Sequence, residues 1–100
     1  TRALAVSGIA DPRSFYESLQ RTNIMMIDKI AYFDHYEFQQ SDIENLKKAL
    51  IDNDAEIVVT TEKDMIRLKN LDLNGIDIYS LGIDFKLDGP GEQYIANLFK

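Results

Sequence analysis

The chain has 100 residues, 45% of them hydrophobic and 28% charged, the balance of one folded domain and not of a disordered tail. Its 11 basic and 17 acidic residues give a net charge of −6, which argues against non-specific nucleic-acid binding, because that needs a cationic stripe to release counterions from phosphates. Cysteine is absent, so disulfide scaffolds and thiol chemistry are excluded, and no apolar run nears the ~20 residues of a membrane span.

The chain opens on Thr1-Arg2 and passes at once into Ala3-Leu4-Ala5-Val6. Such an abrupt start reads as a piece of a longer protein, and with no signal peptide in view the expected compartment is the cytosol. Ala3 to Ile9, small and β-branched, predicts a buried strand. Asp11-Pro12 then reads as N-cap and first helical position, with Phe15, Tyr16 and Leu19 on one helical face. Ile24 to Phe33 predicts a second strand, straight or bent, and Asp34 to Gln40 a loop. Ser41 and Glu44 have the spacing of a capping box, followed by the apolar stripe Ile43, Leu46, Leu50 of an amphipathic helix. Glu56-Ile57-Val58-Val59-Thr60 is the clearest strand; its apolar centre requires cover on both faces. Thr61 caps a short helix carrying Met65, Ile66 and Leu68. Ile76 to Leu81 predicts a fourth strand, and Tyr94, Ile95, Leu98 and Phe99 the inner face of a final helix.

Strands alternating with helices predict an α/β fold over residues 1–100: a small, Rossmann-like, three-layer domain. Its sheet has roughly four strands, mainly parallel, with helices on both faces. Ligands in such sheets bind beyond the carboxyl ends of the strands. That rule selects four loops: Ser7 to Asp11, Asp34 to Tyr36, Thr60 to Asp64, and Gly82 to Asp84.

In the second loop His35, the single histidine, stands beside Asp34. An imidazole there can move protons or hold a carboxylate in an active orientation; it can equally be a strand-end cap. A metal site on His35, Asp34 and Glu37 matches no established ligand spacing. In the third loop Thr60, Thr61, Glu62, Lys63 and Asp64 place two hydroxyls, two acids and a lysine at a strand-to-helix turn, where an anion or an ordinary N-cap can sit. Gly8 either admits a close backbone approach or simply ends a strand. Neither G-x-x-x-x-G-K-[ST] nor G-x-G-x-x-G occurs, so the chain offers no recognised nucleotide cradle.

At these same loops the sequence resembles the tetraacyldisaccharide 4'-kinases, the lipid A 4'-kinases of Gram-negative bacteria. Gly8-Ile9-Ala10 with Pro12 and Phe15 is similar to their GIA-x-P-x-x-F segment. Phe33-Asp34-His35-Tyr36-Glu37-Phe38 is similar to F-x-DHH-x-F/Y, with Tyr36 in place of the second histidine. Thr60-Thr61-Glu62-Lys63-Asp64 matches TTEKD throughout. The resemblance is to the C-terminal half of such kinases. It implies a partner half of the same chain, a P-loop domain holding ATP and Mg²⁺ and associating with the cytosolic face of the bacterial inner membrane. The implied reaction is transfer of the ATP γ-phosphoryl group to the 4'-hydroxyl of the lipid A disaccharide 1-phosphate precursor. It also implies that His35, with Asp34 beside it, works in a catalytic dyad with an aspartate of the other half. Gly8, Thr60, Thr61, Glu62, Lys63 and Asp64 are then expected near the cleft between the halves, with no cofactor or metal bound by this half alone. The rival expectation is a stand-alone, non-catalytic receiver-like or Rossmann-like interaction module, because fold does not fix function.

Overall fold

The computed structural model describes residues 1–82 and the backbone of 87–88. In chain order these form β1 (Arg2–Ser7), α1 (Arg13–Gln20), β2 (Met25–Ala31), α2 (Gln40–Asp52), β3 (Ile57–Thr61), α3 (Glu62–Leu68), β4 (Ile78–Leu81) and β5 (Leu87–Asp88). The sheet runs β2-β1-β3-β4-β5. Its first four members are parallel, and β5 pairs antiparallel with β4. The α/β architecture is therefore as expected, with one short antiparallel strand added at an edge. The expected final helix, Tyr94 to Phe99, and the loop residues Ile83 and Asp84 lie outside the described residues.

The apolar runs of β1 and β3 follow from burial on both faces. Ala3, Ala5, Ile57 and Val59 pack against Phe15 and Leu19 of α1. Leu4, Val6 and Val58 face the other way, onto Ile43, Leu46 and Leu50 of α2 and Met65 and Leu68 of α3. Val58 and Val59 have no exposed surface, and each fully buried valine contributes on the order of 1.5–3 kcal/mol. Successive β3 residues thus bind the two helix layers to one strand.

Local chemistry shifts several boundaries. Pro12 occupies the N-cap of α1, while Asp11 Oδ1 accepts the Arg13 N–H at 3.1 Å. The capping contact of α2 is two residues earlier than Ser41–Glu44: the Gln39 N–H donates to Asp42 Oδ2 at 2.8 Å. A carboxylate at that spacing outcompetes the Ser41 hydroxyl, so the helix begins at Gln40. Thr61 caps α3 as expected, its hydroxyl oxygen accepting the Asp64 N–H at 3.1 Å. Met65 and Leu68 are buried, but Ile66 on the same helix points to solvent. In β2 the pairing with β1 slips between Ala3 and Leu4, leaving Ile27 as an extra, bulged residue.

The chain leaves β1 to one side to make β2, then crosses to the other side to make β3. This reversal opens a crevice between the carboxyl ends of β1 and β3. Two of the four selected loops begin there.

Candidate functional site

Gly8, directly after β1, lies against the buried side chain of Asp64 on α3. The Gly8 N–H donates to Asp64 Oδ2 at 2.9 Å, and the Thr61 hydroxyl donates to the same oxygen at 2.7 Å. A Cβ built on Gly8 would stand 3.2 Å from Asp64 Oδ1 and 3.6 Å from the Phe33 carbonyl. Glycine is needed here for close approach between β1, the Phe33 loop and α3. Thr61 and Asp64 therefore form a fastening that closes the crevice at its base.

One turn along α3, Arg67 extends this fastening outward. Its Nη1 lies 3.5 Å from Asp64 Oδ1 and donates to the Gly8 carbonyl at 3.4 Å. Its Nη2 reaches His35 Nδ1 at 3.3 Å. On the far side of the ring, His35 Nε2 lies 3.6 Å from Asp34 Oδ2. The exposure of these side chains rises outward, from 0% at Asp64 through 29% at Arg67 to 77% at His35. A buried carboxylate thus anchors a guanidinium, which braces an imidazole presented to solvent. His35 also has φ +63°, a left-handed backbone conformation uncommon for a residue with a side chain. The Tyr36 N–H closes this turn on the Phe33 carbonyl at 3.1 Å.

Tyr36 does separate work. Its hydroxyl donates to Asp42 Oδ2 at 2.8 Å, the same oxygen that takes the Gln39 N–H at the start of α2. Its ring meets Phe33 and Phe38 edge-on and packs on Tyr32. The hydrogen bond to Asp42, then burial, raises the Tyr36 phenol above its ordinary value. Burial, aided by Asp42 and Tyr36, pushes Tyr32 up to about 12. Where the motif of the resembling family has a histidine, this chain has a strut holding the His35 loop to α2.

The remaining candidate residues divide by burial. Thr60 is fully buried, and its hydroxyl donates to the Val6 carbonyl at 2.8 Å; it stitches β3 to β1 and presents nothing to a cleft. Glu62 and Lys63 are exposed. They border a hollow of about 290 Å³ with Ile9, Phe15, Thr61 and Gly82. A larger open hollow, about 510 Å³, is lined by His35, Tyr36, Glu37, Phe38, Arg67 and Asn70. His35 thus faces one hollow and Glu62 and Lys63 another, with Asp64 and Gly8 sealed between them. The sequence reading missed Arg67, although its place three residues after Asp64 on a helix is a signal for an ion pair. Away from both hollows, Asp11 is held at about 2 by hydrogen bonds and charge from Arg13.

Among the described residues no group of three His, Asp or Glu side chains gathers to hold a metal ion, and no helix is long and apolar enough to cross a membrane. The family model described as tetraacyldisaccharide-1-P 4'-kinase matches residues 1–100. The chain is 30% identical over 87 residues to the tetraacyldisaccharide 4'-kinase of Desulfatibacillum aliphaticivorans, covering 87% of this chain and 24% of that protein. It is 30% identical over 93 residues to that of Halothermothrix orenii, covering 88% and 24%. Against that of Nitrobacter hamburgensis it is 41% identical over 69 residues, covering 69% and 20%. The chain thus spans about a quarter of the length of these curated relatives. No solved structure matches it.

Proposed function

The chain belongs to the tetraacyldisaccharide-1-P 4'-kinase family, and from that premise we propose that it is the C-terminal domain of such a kinase. The whole protein then moves the ATP γ-phosphoryl group to the 4'-hydroxyl of the lipid A disaccharide 1-phosphate precursor. It does so at the cytosolic face of the bacterial inner membrane. The residues of this chain do not fit ATP or Mg²⁺: no glycine is followed by lysine, and the acids near His35 form no metal-holding cluster among the described residues. Both are assigned to a P-loop half elsewhere in the parent chain, of which this domain is the partner.

Catalysis of phosphoryl transfer is mostly positioning and charge stabilisation. A half that binds no nucleotide still contributes by holding a group that orients the attacking hydroxyl. His35 is assigned that task, with Asp34 beside it, acting on a carboxylate brought by the other half. The observation that carries the reading is the braced, outward imidazole: an exposed histidine tied through Arg67 to a buried carboxylate beyond the strand ends. Glu62 and Lys63 stand as lining of the cleft between halves.

The test is His35→Asn in the full-length protein. Asparagine tolerates the left-handed backbone that His35 adopts, so the melting temperature should hold. Orienting groups contribute ~10²–10⁴ in rate; turnover should fall about 10²-fold, roughly 2.7 kcal/mol of barrier. The Michaelis constant for ATP should stay within about twofold, as for an interaction made in the transition state. Full turnover with a lowered melting temperature would make His35 a structural cap and sink the proposal.

A further inference from the structure

Arginine only donates hydrogen bonds. A contact between Arg67 Nη2 and His35 Nδ1 at 3.3 Å therefore requires Nδ1 to accept, which places the proton of the neutral ring on Nε2. The guanidinium cannot turn away freely. Its other arm is committed to the Gly8 carbonyl at 3.4 Å and to the fully buried Asp64 at 3.5 Å. Asp64 is in turn fixed by the Gly8 N–H and the Thr61 hydroxyl. Across the ring, Asp34 Oδ2 is 3.6 Å from Nε2, too far for a good hydrogen bond, so the Nε2–H stays available to an incoming acceptor.

We propose that Arg67 is a positioning residue that fixes His35 as its Nε2–H tautomer and points that donor into the hollow. The role deepens the reading of His35 given above and rests on it. It also narrows that reading. With Nδ1 covered by a donor and Nε2 already protonated, the neutral ring has no free lone pair with which to remove a proton. His35 acts by donating from Nε2 to a carboxylate, and the carboxylate takes up the proton of the attacking hydroxyl. Arg67 neither touches substrate nor moves a proton; the fork geometry of its guanidinium, fastened at one arm, orients the other.

The experiment is a long-range ¹⁵N–¹H spectrum of the full-length protein labelled at histidine. It is recorded about two pH units above the ordinary histidine value of ~6.5, with the His35 signals assigned by their loss in His35→Asn. The expected wild-type spectrum shows Nε2 protonated and Nδ1 bare. In Arg67→Met the two tautomers should mix, and turnover should fall about 10-fold, a part of the ~10²–10⁴ that an orienting group supplies, with the Michaelis constant for ATP unchanged. Arg67→Lys keeps a cation beside Asp64 and so preserves the fold, but lacks the second parallel N–H that reaches His35; it should show the same mixing. A protonated Nδ1 in the wild type, or an unchanged tautomer in both variants, would overturn the assignment. If His35→Asn keeps full turnover while the wild-type ring is the Nε2–H form, the catalytic reading of His35 fails and the tethering by Arg67 stands.

Discussion

The Gly8 amide donates to Asp64 Oδ2 at 2.9 Å across 56 residues of sequence. This one bond joins the end of the first strand to the helix that follows the third. It converts a short polar signature into the floor of a site.

Asp64→Ala should destabilise the domain by about 2–3 kcal/mol, the scale for leaving buried and half-buried donors without their acceptor. The loss leaves the Gly8 N–H and part of the Arg67 guanidinium without an acceptor. Asp64→Asn retains an acceptor oxygen and should cost about 1–2 kcal/mol. Urea unfolding of the three proteins gives the order directly, and equal midpoints for wild type and Asp64→Ala would refute it.

Gly8→Ala should cost about 1–3 kcal/mol by overpacking. The added methyl meets Asp64 Oδ1 at 3.2 Å, and Asp64 is held by several bonds and has little room to yield. In the Asp64→Ala background the clash disappears, so the second substitution should cost less there than in the wild type. Strict additivity in that double-mutant cycle would mean that the methyl is excluded by something else.

Alkaline pH should weaken the domain over a defined window. The folded-state value of Tyr32 is about 12, against ~10 for an unfolded tyrosine, and Tyr36 is raised as well. Below ~pH 10 both states keep these phenols protonated, and the contribution is fully present. Between ~10 and 12 the unfolded chain releases protons that the folded chain retains, so stability falls as pH rises. Tyr36→Phe should lower stability at neutral pH by losing the bond to Asp42 and show a shallower alkaline decline. Denaturant midpoints across that window, read beside tyrosinate absorbance, decide the matter; a flat profile contradicts it.

Val58→Asp should abolish folding. Val58 is fully buried in a strand with neighbours on both sides, under the α2 and α3 layer. An unpaired carboxylate there costs several kcal/mol, comparable with the whole stability of a domain this size. A cooperative melt near that of the wild type by circular dichroism would show that β3 tolerates charge.

The strands were legible where burial on both faces leaves an uninterrupted apolar run, as at Val58 and Val59. The helices were legible where Ile43, Leu46 and Leu50 repeat on one face. Helix starts were less so, because several polar residues in a row can each act as the cap; Asp42 displaced the expected Ser41 by offering a carboxylate to both Gln39 and Tyr36. The loops after the first three strands could be assigned to one sheet edge from strand order alone. Which residues within them would be sealed and which presented could not. Thr60 and Asp64 turned inward through bonds to Val6 and Gly8, contacts spanning more than fifty positions that no local pattern encodes. Arg67 went unread for the same reason: its partner His35 is 32 residues away.

The bulge at Ile27 bears on how these molecules meet one another. Among the described residues β2 carries the sheet's free parallel edge, a row of backbone donors and acceptors onto which another strand could add. Ile27 interrupts that row, and Asp28 and Lys29 follow it immediately, both exposed; Lys29 is drawn over the Tyr16 ring at 4.8 Å. An incoming strand would have to match an uneven ladder and strip water from two charges at once. The irregularity that shortens this strand's regular pairing thus makes edge-to-edge joining of two copies costly.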